Sequence, residues 1–272
     1  MSEQDKKESP VKLEEHAAPR GAQNAFEQQG LSYESEAAWI LLRKDDKPNA
    51  EMFFTRYFLQ SETDTNRPIT FVFNGGPGAS SVYLHLGALG PQRVVFSPDG
   101  STVKPPHALT ENQETWLKFT DLVFVDPIGT GFSRLVEDDK ADTKDGKSPE
   151  KDKKLEYWKI KRDLESLGEF IQKFLSTYHR WESPTFIAGE SYGGFRVAKL
   201  ARMLQQDYGV GLCGAILISP ALEFMLLDSS DYDVLPWIDT FPTMAGAALM
   251  HGNARKNKEA EAVEEYMRRA AE

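Results

Sequence analysis

A serine between two glycines is the feature of this sequence best suited to chemistry. Ser191 lies in a Gly-x-Ser-x-Gly segment, after the apolar run 185–188 and before the helical pattern 197–204. Glycines on both sides let the backbone turn sharply and hold the hydroxyl clear of a sheet, at the positive end of the next helix. This layout is typical of a nucleophile elbow, whose serine attacks carbonyl carbons. The alternative interpretation is an ordinary serine in a turn between a strand and a helix.

A second glycine-rich segment also follows an apolar run. Residues 69–73 precede Asn-Gly-Gly-Pro-Gly at positions 74–78, and a helix is predicted from about residue 82 to residue 89. Glycine does not shield its neighbouring backbone N–H groups, so this loop could serve as an oxyanion hole. It could equally be a helix-entry turn capped by Ser80 or Ser81. A phosphate cradle is a weaker alternative, because the loop lacks the Gly-Lys-Ser/Thr of such sites.

Composition excludes several classes of protein. The chain has 272 residues, 40% of them hydrophobic, and a formal net charge of -10, which argues against a nucleic-acid partner. No apolar run approaches the ~20 residues of a membrane span, and the first residues lack the apolar region of a signal peptide. We therefore predict no membrane association and a cytoplasmic location. The single cysteine, Cys213, lies in an apolar stretch and is predicted to be buried in the core.

The order of apolar segments predicts an α/β fold. Residues 1–25 are charged, without an apolar period, and are predicted to be a disordered tail. Alternation of strands and helices after the first hairpin predicts a mostly parallel sheet flanked by helices. The predicted elements are a hairpin of strands 35–42 and 51–59, buried strands 69–73, 122–125, 185–188 and 214–218, a crossover helix 153–178 preceded by a charged loop 137–154, and a last helix 256–272.

Three motifs together are far more specific than either glycine-rich segment alone. Asn-Gly-Gly-Pro-Gly at 74–78, Asp-Pro-Ile-Gly-Thr-Gly-Phe-Ser at 126–133 and Gly-Glu-Ser-Tyr-Gly at 189–193 follow one another in this order. With them, residues 30–252 resemble the serine carboxypeptidase family, whose members have the α/β-hydrolase fold. The segment 112–116 also resembles a family motif, and the match is closest to the bacterial, disulfide-poor branch.

The resemblance implies roles for individual residues. Ser191 would be the nucleophile that forms an acyl-enzyme. The backbone N–H groups of Gly76 and Tyr192 would hold the oxyanion that develops on the attacked carbonyl. No cofactor is implied, and no His/Cys/Asp/Glu cluster has the spacing of metal ligands, so no metal is predicted.

The family also binds the terminal carboxylate of its substrate. The resemblance assigns this role to Asn74, Gly75 and Glu190, and a glutamate that faces a carboxylate must share a proton with it, so activity is expected to be highest in acid. Two positions depart from the family pattern: Val72 stands where a tryptophan is expected, and Ala88 where a glutamate is expected. These departures put carboxylate selectivity in question.

The histidine and aspartate of a catalytic triad are not evident. In this fold the chain order is Ser, Asp, His, so His251, the only histidine after Ser191, is the candidate for the triad histidine. The resemblance places residues 26–222 in the N-terminal part of the hydrolase core and residues 223–272 at the start of a helical cap, before the strands that carry the partners. It therefore implies a fold truncated before its last strands, and a complementing chain is a possible partner. The aspartates after the nucleophile in this region are Asp228, Asp231, Asp233 and Asp239.

Three functions remain open from the sequence. The leading hypothesis is a serine-type carboxypeptidase acting on peptides, or its N-terminal piece. The second is an esterase or acyltransferase of the same fold acting on a small ester, which the residues Val72 and Ala88 favour. The third is a catalytically silent binding protein, which the missing triad members favour.

Overall fold

The structure is a computed structural model. It describes residues 21–28, 30–44, 47–60, 66–101, 103–136, 156–227, 230, 232–253 and 262–272. Most of the predicted tail, the charged loop 137–154 and the first part of the predicted helix 256–272 lie outside the described residues. So do the candidates Asp228 and Asp231.

The described residues contain one eight-stranded sheet and a separate two-stranded hairpin. The strands are β1 Ala22–Gln28, β2 Leu31–Lys44, β3 Lys47–Leu59, β4 Ile69–Phe73, β5 Gln92–Val94, β6 Leu109–Glu111, β7 Asp121–Val125, β8 Arg134–Leu135, β9 Thr185–Glu190 and β10 Leu212–Ile218. The main sheet has the order β1-β2-β3-β7-β4-β9-β10, with β8 paired to β3. Strands β7, β4, β9 and β10 are parallel, so the predicted mostly parallel core is confirmed.

The predicted hairpin is formed by β2 and β3, and it is longer than the sequence pattern suggested. Trp39 pairs with Phe53, and the two strands are antiparallel. One further strand, β1, pairs with β2 and begins at Ala22, inside the segment predicted as a tail. The tail was predicted because the segment lacks an apolar period, but backbone hydrogen bonds to a neighbouring strand require no such period.

The helices of the first 220 residues frame the sheet. Helix α1, Val82–Leu84, continues as a π-helical turn, His85–Leu89, and a 3-10 turn spans Trp116–Lys118. Helix α2, Ile160–Thr177, begins later than predicted because Lys159 is extended. Helix α3, Tyr192–Asp207, starts directly after β9.

The two faces of the sheet bury two hydrophobic clusters. Phe71 and Phe73 of β4 belong to the larger cluster, which also contains the apolar sides of α2 and α3. Val72, between them, points to the opposite face and joins Leu84 and Leu89 in the smaller cluster. This alternation follows from the two-residue period of a strand, and it explains why β4 is apolar throughout.

Cys213 is exposed, so the prediction that it is buried in the core was wrong. Among the described strands, β10 has only β9 as a neighbour, and its residues alternate between partly buried and exposed. An apolar sequence therefore did not mean a strand covered on both faces. The position of β10 at the edge of the described sheet leaves Cys213 accessible.

The chain divides into two compact units, Met1–Pro220 and Ala221–Glu272. The second unit contains a 3-10 turn, Phe224–Leu226, and helices α4 Leu235–Met250 and α5 Val263–Ala271. Of the helices that the structure describes, none has the length and apolar character needed to cross a membrane.

Candidate active site

Ser191 occupies a sharp turn between β9 and α3. Its backbone has φ 58° and ψ -122°, a conformation that few residues other than glycine adopt. Such strain costs roughly 1–3 kcal/mol and is concentrated at functional sites. The turn is held on both sides: the Ser191 N–H donates to the Ile218 carbonyl at 3.0 Å, and the Gly194 N–H donates to the Ser191 carbonyl at 2.9 Å.

The Ser191 hydroxyl is not used to cap the helix. Every residue of α3 is described, and the side chain makes no capping hydrogen bond to it. A serine at a helix start usually does make such a bond. The geometry of the turn therefore matches the predicted nucleophile elbow and leaves the hydroxyl for another partner.

Two glycines allow the elbow and the first glycine-rich loop to touch. A Cβ atom on Gly75 would lie 2.6 Å from the Tyr192 nitrogen and 2.8 Å from the Glu190 carbonyl oxygen. A Cβ atom on Gly193 would collide with the Phe73 carbonyl oxygen. Both contacts are with backbone, which cannot move aside easily, so these positions require glycine.

Asn74 fastens the loop to the elbow. It is 3% exposed, and its side-chain nitrogen donates to Glu190 Oε2 at 3.1 Å. Its side-chain oxygen accepts from the Leu84 N–H at 2.8 Å. Two of the three residues that the resemblance assigned to carboxylate binding, Asn74 and Glu190, are therefore bonded to each other, although they are far apart in the sequence.

Asp126, at the end of β7, supports the loop from a third segment. Its Oδ1 accepts from the Ser81 N–H at 2.9 Å, and its Oδ2 accepts from the Phe132 N–H at 3.3 Å. The Ser81 hydroxyl donates to the Val125 carbonyl oxygen. Burial raises the pKa of the Asp126 carboxyl group, and the two backbone hydrogen bonds oppose that shift. Sequence reasoning used this aspartate only as part of a motif and missed its contacts.

Ser191 opens onto a cleft of about 370 Å³. Five of the six residues given nucleophile, oxyanion or carboxylate roles line it, and the sixth, Tyr192, has its backbone nitrogen beside Gly75. The lining also includes three residues that sequence reasoning did not assign to the site. The complete lining is Asn74, Gly75, Gly76, Ala79, Tyr83, Leu84, Glu190 and Ser191.

No histidine is among the described residues that line the cleft. His85 donates or accepts a 2.7 Å hydrogen bond with the Tyr57 hydroxyl and stacks on Phe124. Burial lowers its pKa to about 4. His107 and His179 are exposed. His251 follows the last residue of α4 in the second unit, so its role as the triad histidine stays a prediction.

The parallel strands explain why the three motifs meet. Strands β4, β7 and β9 are adjacent in the order β7-β4-β9, and each motif begins at the carboxyl end of one of them. In parallel sheets these ends share one edge, where ligands commonly bind. The three motifs therefore lie at one edge of the sheet.

A family model described as serine carboxypeptidase matches residues 26–213. The chain belongs to the serine carboxypeptidase family. It is 29% identical over 197 residues to "Serine carboxypeptidase-like 13" of Arabidopsis thaliana, covering 71% of this chain and 41% of that protein. It is 30% identical over 194 residues to "Pheromone-processing carboxypeptidase kex1" of Schizosaccharomyces japonicus, covering 68% of this chain and 32% of that protein.

A solved structure agrees in fold. The prohormone-processing carboxypeptidase Kex1(delta)p from Saccharomyces cerevisiae superposes with a TM-score of 0.52 at 21% identity, covering 81% of this chain and 48% of that one. The chain has the α/β-hydrolase fold and spans less than half the length of these serine carboxypeptidase relatives. The relatives named here are from a plant and yeasts, so they give no support to the predicted bacterial branch.

Proposed function

We propose that the chain carries the nucleophile and substrate-binding part of a serine carboxypeptidase, which releases C-terminal residues from peptides. The observation that carries the proposal is the Asn74–Glu190 hydrogen bond beside Ser191 in one cleft. Glu190 in its protonated form can donate to a substrate carboxylate, and the carboxamide of Asn74 orients it. An amide-cleaving site with such a pair next to its nucleophile fits a peptide whose free carboxylate lies one residue beyond the scissile bond.

The proposed chemistry follows from the elbow. Ser191 Oγ attacks the carbonyl carbon before the last residue and loses its proton to a base. The N–H groups of Gly76 and Tyr192 stabilise the resulting oxyanion. The base returns the proton to the leaving amine, the C–N bond breaks, and water then hydrolyses the acyl-Ser191 ester.

The identity of the base that takes the Ser191 proton is also part of the proposal. A histidine oriented by an aspartate normally takes this role. In the chain, His251 is the one histidine that follows Ser191, and a complementing chain is the other source we consider. Without a base, the cleft and the oxyanion hole would still bind substrate and leave a small residual rate.

An esterase of the same fold is the second candidate. Val72 stands where the resemblance expects a tryptophan and is fully buried in the smaller hydrophobic cluster, so this position offers no side-chain hydrogen-bond donor. Ala88 likewise brings no carboxylate to the site. With fewer groups that bind the substrate carboxylate, the cleft would accept an ester as readily as a free acid.

The test compares three substrates that share one blocked dipeptide: the free acid, its amide and its ester. Release of the C-terminal residue from the acid would be followed by mass spectrometry for the wild type and for Ser191→Ala. We expect the acid to be cleaved with the highest kcat/KM, and Ser191→Ala to lower it on the order of 10⁴-fold or more. Ser176→Ala, an exposed serine of α2, is the matched control and should change nothing.

The other outcomes choose between the alternatives. Higher kcat/KM for the ester or amide than for the acid would replace the carboxypeptidase with an esterase or acyltransferase. No turnover of any substrate, together with no labelling of Ser191 by a fluorophosphonate, would leave only a silent binding protein.

A further inference from the structure

Arg196 is a buried cation next to the cleft to which the proposed chemistry gives no role. It lies on α3 and is 3% exposed. Its Nε donates to Oδ2 of Asp163 at 2.7 Å, and its Nη2 donates to Oδ1 at 3.4 Å. Asp163 lies on α2 and is also buried. Burying such a pair is costly, so its presence here calls for a use beyond simple stabilisation.

The third bond of Arg196 points to that use. Its Nη1 donates to the backbone carbonyl of Asn74 at 2.9 Å. This carbonyl and the N–H of Gly75 belong to the same peptide group. In a trans peptide the two groups point in opposite directions, so Arg196 on the carbonyl side turns the Gly75 N–H away from itself.

The charge of Arg196 affects the strength of the Gly75 N–H as a hydrogen-bond donor as well as its direction. A hydrogen bond from a guanidinium is stronger than one between neutral groups. Hydrogen bonds in series polarise one another, so a carbonyl that accepts from a cation makes the N–H of the same peptide a better donor. Gly75 lines the cleft with Glu190 and Ser191.

We propose that Arg196, held by Asp163, is a positioning residue that aims and polarises the Asn74–Gly75 peptide, so that the Gly75 N–H binds the anionic end of the substrate. The inference rests on the proposed carboxypeptidase function and adds to it the residues that set the preference for a free carboxylate. Arg196 acts through the peptide and does not touch the substrate. Asp163 keeps the guanidinium in the one orientation that reaches Asn74.

A purely structural role makes a different prediction. The Asp163–Arg196 pair links two helices to the loop, so its loss would loosen the whole site and slow every substrate alike. The positioning role predicts a selective loss, because an amide substrate has no anion for the Gly75 N–H to bind. The ratio of kcat/KM for the acid to that for the amide separates the two roles.

The experiment measures this ratio for the wild type, Arg196→Met and Arg196→Lys. In Arg196→Met the ratio should fall about tenfold or more, mainly through a higher KM for the acid, as expected for loss of one charge-assisted hydrogen bond. Arg196→Lys keeps the positive charge but lacks the planar guanidinium that donates to Asp163 and Asn74 at once. Its ratio should therefore lie between those of Arg196→Met and the wild type. Arg202→Met, an exposed arginine of the same helix, is the matched control. Asp163→Asn is a milder variant, expected to lower the ratio less than Arg196→Met.

Equal losses for acid and amide, or an unchanged ratio in Arg196→Met, would overturn the positioning role. A second readout does not depend on turnover. The amide proton of Gly75, observed by NMR after ¹⁵N-glycine labelling, should move upfield in Arg196→Met, move upfield by less in Arg196→Lys, and stay in place in Arg202→Met. A wild type without acid preference would refute the proposed function, and the Gly75 resonance would still decide whether Arg196 polarises this peptide: an unmoved resonance overturns the inference.

Discussion

At the scale of single residues, Asn74 shows how much one side chain and its backbone can do. Its backbone N–H donates to Ser81 Oγ, its backbone carbonyl accepts from Arg196, and its side chain bonds both Glu190 and Leu84. The resemblance assigned it only to the substrate. In the structure it is also the junction where the loop, the elbow and α3 are joined.

Replacing Asn74 should therefore cost stability as well as activity. Asn74→Ala removes two side-chain hydrogen bonds and leaves the buried Leu84 N–H without its acceptor, so we expect the free energy of unfolding to fall by about 2 kcal/mol. Urea unfolding of the purified variant measures this. Asn24→Ala, on the exposed strand β1, is the control. Equal stability of the two variants would show that the Asn74 side chain serves the substrate alone.

His85 should make stability depend on pH. Burial lowers its pKa from 6.5 to about 4, so between these values the unfolded chain binds a proton that the folded chain does not. The free energy of unfolding should fall as the pH is lowered from 6.5 to about 4. We expect a contribution of roughly 2 kcal/mol, less than the full shift would give because the ring is partly exposed.

The His85 contribution can be isolated by difference. Urea unfolding at pH 7 and at pH 4.5 should show a smaller loss for His85→Gln than for the wild type. His107→Gln changes an exposed histidine and should lose as much as the wild type. If all three proteins lose the same free energy, burial does not lower the pKa of His85.

At the scale of elements, strand order decides which segments meet. Strand β7 lies between β3 and β4, so the Asp126 motif adjoins the Asn74 loop although almost fifty residues separate them. Strand β9 flanks β4 on the other side and brings Ser191 to the same edge. The site is therefore built by the parallel strands, and each glycine-rich turn only completes it.

The outer strand β10 should be chemically accessible. Cys213 is the only cysteine, is exposed, and lies on a strand with one described neighbour. We expect a thiol reagent such as DTNB to react with it in the folded protein at a rate close to that in urea. The Cys213→Ser variant supplies the background. Reaction only after unfolding would mean that something covers this face of β10 in solution.

At the scale of the whole molecule, the described residues of both hydrophobic clusters belong to the first compact unit. Every residue assigned to them precedes Pro220. The second unit consists largely of helices α4 and α5, and exposed large hydrophobic side chains such as Trp237 and Phe241 occur on α4. The prediction that residues 223–272 begin a helical cap, like the predicted cytoplasmic location, stays a prediction.

Deleting the second unit should leave the first one folded. For a chain that ends at Pro220 we expect cooperative unfolding, with a free energy of unfolding within about 1 kcal/mol of the full chain, because no buried cluster residue is lost. Circular dichroism during urea unfolding measures this. A chain that ends at Asp207 also lacks β10, whose Leu212 and Ile216 pack on the clusters, and should be markedly less stable. Loss of cooperative unfolding in the chain that ends at Pro220 would contradict the division into units.

Local features of the site could be predicted from the sequence, and its contacts could not. Gly-x-Ser-x-Gly after a strand predicted the turn at Ser191, because turn conformation depends on neighbouring residues. Arg196 was missed because, within a helix, a buried arginine looks the same in sequence as an exposed one. Its burial depends on Asp163 and on the Asn74 carbonyl, 33 and 122 positions away.

The sequence by itself determined the alternation of strands and helices, the two glycine-rich turns and the family to which the chain is similar, since all of these depend on the order and type of neighbouring residues. Only the tertiary structure decided that Glu190 bonds Asn74, that Asp126 supports the loop, that Arg196 grips the Asn74–Gly75 peptide and that Cys213 is exposed. These facts depend on which strands become neighbours and which faces are covered. Both are set by the packing of segments distant in the chain, which no local pattern encodes.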